Sequence, residues 1–240
     1  VAPFVRTVVT GVVDAPGGVE RTTARVDDPL HGFEVRLDVR AGRVVAATAE
    51  AHRVPWSTCP GALASVERLD GSLSGAPTEL LRVGREHTCV HLNDLVWLAA
   101  RGHRRRRYDV EVTPYGVSLV RDGEPCFGWR LVDWTVRSPG PFEHAHVADG
   151  GWGARLEAAG ADEELREAVR VARRAASVAM GYYELDWAGF ATAADVGWAP
   201  MLGSCHTFSA QRVERAERRV APPDTSLFAR PGSARGGTLG

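Results

Sequence analysis

Between positions 33 and 39 the chain reads FEVRLDV, and its apolar members, Phe33, Val35, Leu37 and Val39, fall on every second residue. Side chains alternate across a strand, so this spacing makes one apolar and one charged face, which a helix of the same residues would scatter. A strand with one apolar face needs a neighbour and a cover. The following Ala41 and Gly42 offer a tight turn into RVVAATAEA, so the stretch predicts an antiparallel hairpin. Upstream, FVRTVVTGVV and GVERTTARV are β-branched runs separated by DAPGG, which predicts another hairpin.

After Pro55 the period changes. CPGALASVERLDG places Pro60 in a first turn and Leu63, Val66 and Leu69 on one stripe before Gly71, the pattern of a short helix, and PTELLRVG adds a further helical turn or two. In VHLNDLVWLAARG, Leu92, Leu95, Val96 and Ala99 recur at helical spacing and Gly102 marks the stop. YDVEVT, GVSLVRDG and FGWRLVDWTV, joined by PYG and DGEP, predict a three-stranded meander. DEELREAVRVARRAASVAM is read as an amphipathic helix with Leu165, Val169, Ala172, Ala176 and Met180 on one face and acids in its first turn. The expected architecture is α+β: an antiparallel sheet covered by helices over residues 1–103, a meander and long helix over 104–220 packed on it, and a disordered tail over 221–240.

The 240 residues suffice for a sizeable core, and a formal charge of -1 steers the molecule as a whole towards neither phosphate backbones nor anionic membrane. Every basic residue apart from histidine is an arginine. The N-terminus lacks the basic start and apolar run of a secretory signal, and nothing approaches the roughly 18 apolar residues of a membrane span. The cysteines at 59, 89, 126 and 205 are too irregularly spaced for a disulfide framework, which points to reduced thiols and a cytoplasmic location.

The stretch HTCVHLNDL (87–95) puts Cys89 and His91 at the start of an apolar helix. His31 opens a strand and Cys59 lies in the loop before another helix, so all four occupy edges between elements. A helix N-terminus favours thiolate over thiol. Two thiolates and one or two imidazoles suit zinc, or part of the ligation of an iron-sulfur cluster, although isolated cysteines and loop histidines more often simply pack. Asp94 and Glu34 are the nearest carboxylates in sequence that could orient a metal-bound histidine. Cys205, in SCHTFS, joins this set if the C-terminal part folds back over the first half. Trp187, Phe190 and Trp198 line either a core or a ligand pocket, and His144 and His146 would share one face of an extended segment. The arginines at 104 to 107 form either a phosphate-binding patch or a solvated connector.

LHGFEVRLDV, PWSTCPGA followed by LDGSLSG, and TCVHLNDL together resemble a bacterial family known as domain of unknown function 2889. Its pattern has a His-Asp-Met stretch, a Pro-x-x-x-Cys loop, a Leu-x-Gly and a Gly-Cys-Thr-His-Leu-x-Glu-Leu motif. The resemblance spans roughly residues 20 to 102 and matches His31, Cys59, Cys89 and His91, with Cys205 a match to a late family cysteine. Gly32, Phe33, Thr88 and Val90 depart from the pattern. More remotely, the same residues resemble the NifU/IscU-type iron-sulfur scaffold fold, which would bring three loops to one end of the sheet.

These readings lead to a metal-binding protein, zinc or iron-sulfur, through His31, Cys59, Cys89 and His91. The alternative is a metal-free small-molecule enzyme or binding protein with a reactive Cys89 and a tryptophan-lined pocket. A third reading is a partner-binding module whose cysteines are core.

Overall fold

The structure is a computed structural model, and it describes residues 2–69, 71, 84–197 and 201–221. Eight strands, β1 (Phe4–Ala15), β2 (Val19–Asp27), β3 (Gly32–Arg40), β4 (Arg43–Arg53), β5 (Arg105–Thr113), β6 (Gly116–Arg121), β7 (Glu124–Val132) and β8 (Thr135–Val136), form one open sheet. Its order is β4-β3-β2-β1-β5-β6-β7-β8, and every neighbouring pair is antiparallel. Four α-helices lie among the described residues: α1 (Ala64–Glu67), α2 (Val90–Ala99), α3 (Trp152–Ala158) and α4 (Glu163–Glu184). The class is therefore α+β, as the periodicities require.

The hairpins close where the turn chemistry places them. Arg40 pairs with Arg43 across Ala41 and Gly42, both at positive φ, the geometry that follows the natural twist of a two-residue hairpin. Gly17 and Gly18, also at positive φ, join β1 to β2. Phe33, Val35, Leu37 and Val39 are all buried. The meander forms as β5, β6 and β7. What periodicity left open is its partner: β5 pairs directly with β1, Phe4 opposite Val112 and Gly11 opposite Arg105, so the strands before and after residue 104 share one sheet.

α2 packs on β3, β2 and β1, while α4 packs on β5, β1 and β6. Leu92, Leu95, Val96 and Ala99 are buried as their spacing predicts. In α4 Asp162 caps the first turn by accepting from the Leu165 amide, and Val169, Ala172, Ala176 and Met180 are buried. Leu165 is exposed, contrary to expectation, because it stands in that first turn, beyond the stripe that meets the sheet. α3 was not expected. The helical turn anticipated over PTELLRVG falls on residues 77–83, which, like the tail at 222–240, lie outside the described residues.

Of the four arginines at 104 to 107, Arg106 pairs with Glu164 and Asp122, and Arg107 with Asp109. The charge of these two is committed within the protein, while Arg104 and Arg105 are exposed. No helix among the described residues is long and apolar enough to cross a membrane.

Candidate ligand cavity

The turn between β2 and β3 positions His31. Asp28 accepts hydrogen bonds through Oδ1 from the amides of Leu30 and His31, each at 2.8 Å, and the Asp28 amide donates to the His31 carbonyl. Such turns are favoured where an aspartate can bond the backbone two residues on. The carboxylate also stands 3.2 Å from His31 Nδ1, and its other oxygen receives Nε and Nη2 of Arg6. Arg6 and Asp28 are both buried. Burial alone would raise the Asp28 carboxyl; the charge of Arg6 and then that of His31 outweigh it and hold the group well below the ordinary range.

Cys89 is the residue at which α2 begins, with extended backbone, and His91 lies in the first turn. The two side chains meet, Sγ to Nδ1 at 3.5 Å. The His91 ring stacks on that of His31 with centroids 3.9 Å apart. His91 is buried, and its Nε2 has no hydrogen-bond partner among the described residues. Burial, then His31, Arg6 and Arg174, push its pKa well below the usual histidine value, so the ring is held uncharged.

Cys59 begins a short 3-10 turn, Cys59–Ala62. Its Sγ lies 3.3 Å from Thr207 Oγ1, which also accepts from Thr58 at 3.1 Å. Thr207 belongs to SCHTFS, so the C-terminal part does fold back over the first half. It is held there by main-chain bonds: Ser57 to Glu217, Arg219 to Pro55 and His206 to Thr88. His206 lies against Gly61, whose missing side chain makes room for it; a Cβ there would stand 2.3 Å from Nε2.

These elements enclose a cavity of about 390 Å³. His31, Cys59, Cys89, His91 and Cys205 all line it, so the structure brings the five candidate residues to one wall. Leu30, Phe33, Trp56, Val178, Trp187 and Phe208 contribute much of the rest, and Trp56 stacks on Trp187 at 5.9 Å. Arg174 and Ser177, from α4, add further polar groups to the lining. Cys126 is exposed on β7, far from this role in sequence and element, and His144 is exposed at a turn. His146 is not among the lining residues, Phe190 is buried in the adjoining aromatic cluster, and Trp198 lies outside the described residues.

Two expectations change. Burial pushes the Cys59 thiol up to about 11 and Cys89 up to about 12, with neighbouring cysteines adding to the effect on each, so the start of α2 does not produce a thiolate. Asp94 and Glu34 do not orient the histidines: Asp94 accepts from Arg170 and Arg174, and Glu34 pairs with Arg36. The orienting carboxylate is Asp28. Its signal in the sequence was the Asp-Pro-Leu-His spacing, but its role depends on Arg6, which no local pattern announces. Arg174 and Trp56 were likewise missed as wall residues, and Thr207 as the partner of Cys59.

Among the described residues, no three His, Cys, Asp or Glu side chains stand together in a geometry that could hold a metal ion. Residues 9–103 match the model of the family described as Protein of unknown function (DUF2889). The matched segment carries His31, Cys59, Cys89 and His91, whereas Arg174, Trp187 and Cys205 lie beyond it. No curated protein matches the chain.

Proposed function

We propose that the protein binds a small, largely apolar molecule in the cavity between the sheet, α2, α4 and the folded-back C-terminal part. A family of unknown function contributes no activity to this reading, so it rests on the site. The observation that carries it is the wall: a volume of about 390 Å³, within the usual range for small-molecule sites, with apolar and aromatic side chains over most of its surface and a few hydrogen-bonding groups among them. The protonated thiols and uncharged His91 favour recognition over nucleophilic attack at Cys89.

Isothermal titration with a set of 2-naphthyl compounds bearing methyl, carboxamide, aminomethyl or carboxylate groups tests it. At least one should bind, and Val178→Phe, which fills the cavity, should abolish binding while the far-ultraviolet spectrum stays unchanged. Absence of binding by the whole set would overturn the reading.

A second reading keeps the wall for a thiophilic ion, zinc or the iron of a cluster, held by Cys59, Cys89 and Cys205 with His91 or His31. Three thiols lining one cavity and the unpartnered Nε2 of His91 favour it. The residues as placed do not form a coordination sphere, so this reading requires side-chain rotation. Elemental analysis of protein purified without oxygen, beside the Cys59→Ala/Cys89→Ala double variant, decides it: near-stoichiometric metal lost in the variant supports it, and no metal in either sinks it.

A further inference from the structure

The cavity wall is unbalanced in charge. Among the described residues that line it, Arg174 is a full cation and there is no aspartate or glutamate. Its nearest carboxylate, Asp94, stands behind the wall on α2 and is divided between two guanidiniums, accepting from Arg170 Nε at Oδ1 and from Arg174 Nε at Oδ2. One negative charge therefore serves two positive ones. Arg170 turns its guanidinium onto the face of Trp97, 4.6 Å from the ring centre, outside the cavity lining. Arg173, between them, is taken by the carbonyls of Val147 and Asp149. The surplus charge that reaches the cavity is that of Arg174.

The geometry of Arg174 also leaves its useful donors available. The bond to Asp94 runs through Nε, so the Nη pair, which binds both oxygens of a carboxylate in a planar fork, remains for another acceptor. The Arg174 side chain keeps 26% of its surface exposed, against 12% for Asp94. Ser177, one turn further along α4, lines the same cavity and adds a hydroxyl donor. Neighbouring polar groups do not cancel this field: burial holds the Cys59 and Cys89 thiols protonated and His91 uncharged. The pair formed by Arg6 and Asp28, behind His31, is balanced one to one.

We infer that the ligand is a monocarboxylate with an aromatic or branched apolar body, its carboxylate seated on the Nη fork of Arg174 and its body lying against the packed cluster of Trp56, Trp187 and Phe208. The inference rests on the cavity reading and deepens it by naming the ligand's charge. A neutral isostere would fill the same apolar space while leaving the Arg174 fork unanswered, and a cation would meet an uncompensated like charge in a low-dielectric wall.

The test uses full-length protein and the naphthyl set in one buffer at low salt. 2-Naphthoate should bind about tenfold or more tightly than 2-naphthamide, the usual scale of a charge-assisted bidentate contact, and 2-(aminomethyl)naphthalene should bind weakest. In Arg174→Gln the naphthoate preference should vanish while naphthamide affinity stays within about twofold; Arg174→Lys should restore part of it, as a point charge without the fork. Equal binding of naphthoate and naphthamide by the unaltered protein would overturn the carboxylate assignment and leave the cavity standing. Absence of binding by every compound would overturn both. Because the ligand pair is compared on the unaltered protein, the inference stays falsifiable even if the Arg174 variants fold poorly.

Discussion

Asp28 is a buried carboxylate whose partners converge from three directions: Arg6 on β1, the turn amides of Leu30 and His31, and the His31 ring. Breaking such a pair by removing one member leaves the other charge buried alone, which typically costs about 3–5 kcal/mol. Asp28→Asn should therefore lower the urea-unfolding free energy by about that much, whereas Arg6→Met with Asp28→Leu together should lose less than either single change. His91 gives a pH dependence. The folded state keeps it uncharged and the unfolded chain protonates near the ordinary histidine value of about 6.5, so the unfolded state binds more protons below that pH. Stability should fall on acidification from pH 7 towards pH 5, approaching about 1.4 kcal/mol per pH unit for this one group. His206, also depressed by burial, acts in the same sense. His91→Gln should flatten the slope of melting temperature against pH, and an unchanged slope would mean that the ring is protonated in the folded protein. Asp28 adds nothing in that window, since folded and unfolded chains both keep it ionised above about pH 5. At this scale the sequence displayed the rarer chemistries, imidazole and thiol, and hid the common ones. Arg174 is one arginine among many until α4 is placed beside α2.

β3, β4 and their turn show how far periodicity reaches. The alternation from Phe33 to Val39 determined which side chains are buried, and the Ala41-Gly42 turn closed where expected, with Ala41 at φ 49°. A left-handed backbone is unfavourable for alanine by roughly 1–2 kcal/mol and is tolerated by asparagine and glycine. Ala41→Asn should raise the unfolding free energy by up to about 1 kcal/mol in denaturant titrations, with no change at the cavity. In α4 the Asp162 cap was visible as acids opening an apolar stripe, and Asp162→Ala should cost about 1 kcal/mol. Partner choice was not visible. Alternation says that a strand has a buried face but not which edge it joins, so the pairing of β1 with β5 had to come from the fold. There Tyr183 of α4 helps to hold it, accepting from the Phe4 amide and donating to the Val112 carbonyl.

Across the molecule, thiol accessibility reports on the cavity. Cys126 is exposed, and Cys59, Cys89 and Cys205 are half-buried on one wall. Timed alkylation with iodoacetamide, read by mass spectrometry, should label Cys126 first and the other three much more slowly, and a bound naphthyl acid should slow those three further without affecting Cys126. Labelling of Cys89 as fast as Cys126 would contradict the buried, protonated thiols described here. That Cys205 reaches this wall could be framed from sequence only as a condition, because SCHTFS has no period of its own. Its position depends on contacts with residues about 150 places earlier, such as Thr207 with Thr58 and Cys59. The same seam has a consequence in time. Sheet and helices form the fixed sides of the cavity, but the side contributed by residues 201–219 is fastened by separate main-chain bonds, Ser57 to Glu217, Arg219 to Pro55 and His206 to Thr88, not by a continuous ladder. Such a seam opens more often than the sheet does. The amides of Ser57, Arg219 and His206 should therefore exchange with deuterium well before those of β3, and a ligand's residence time should track that opening rate.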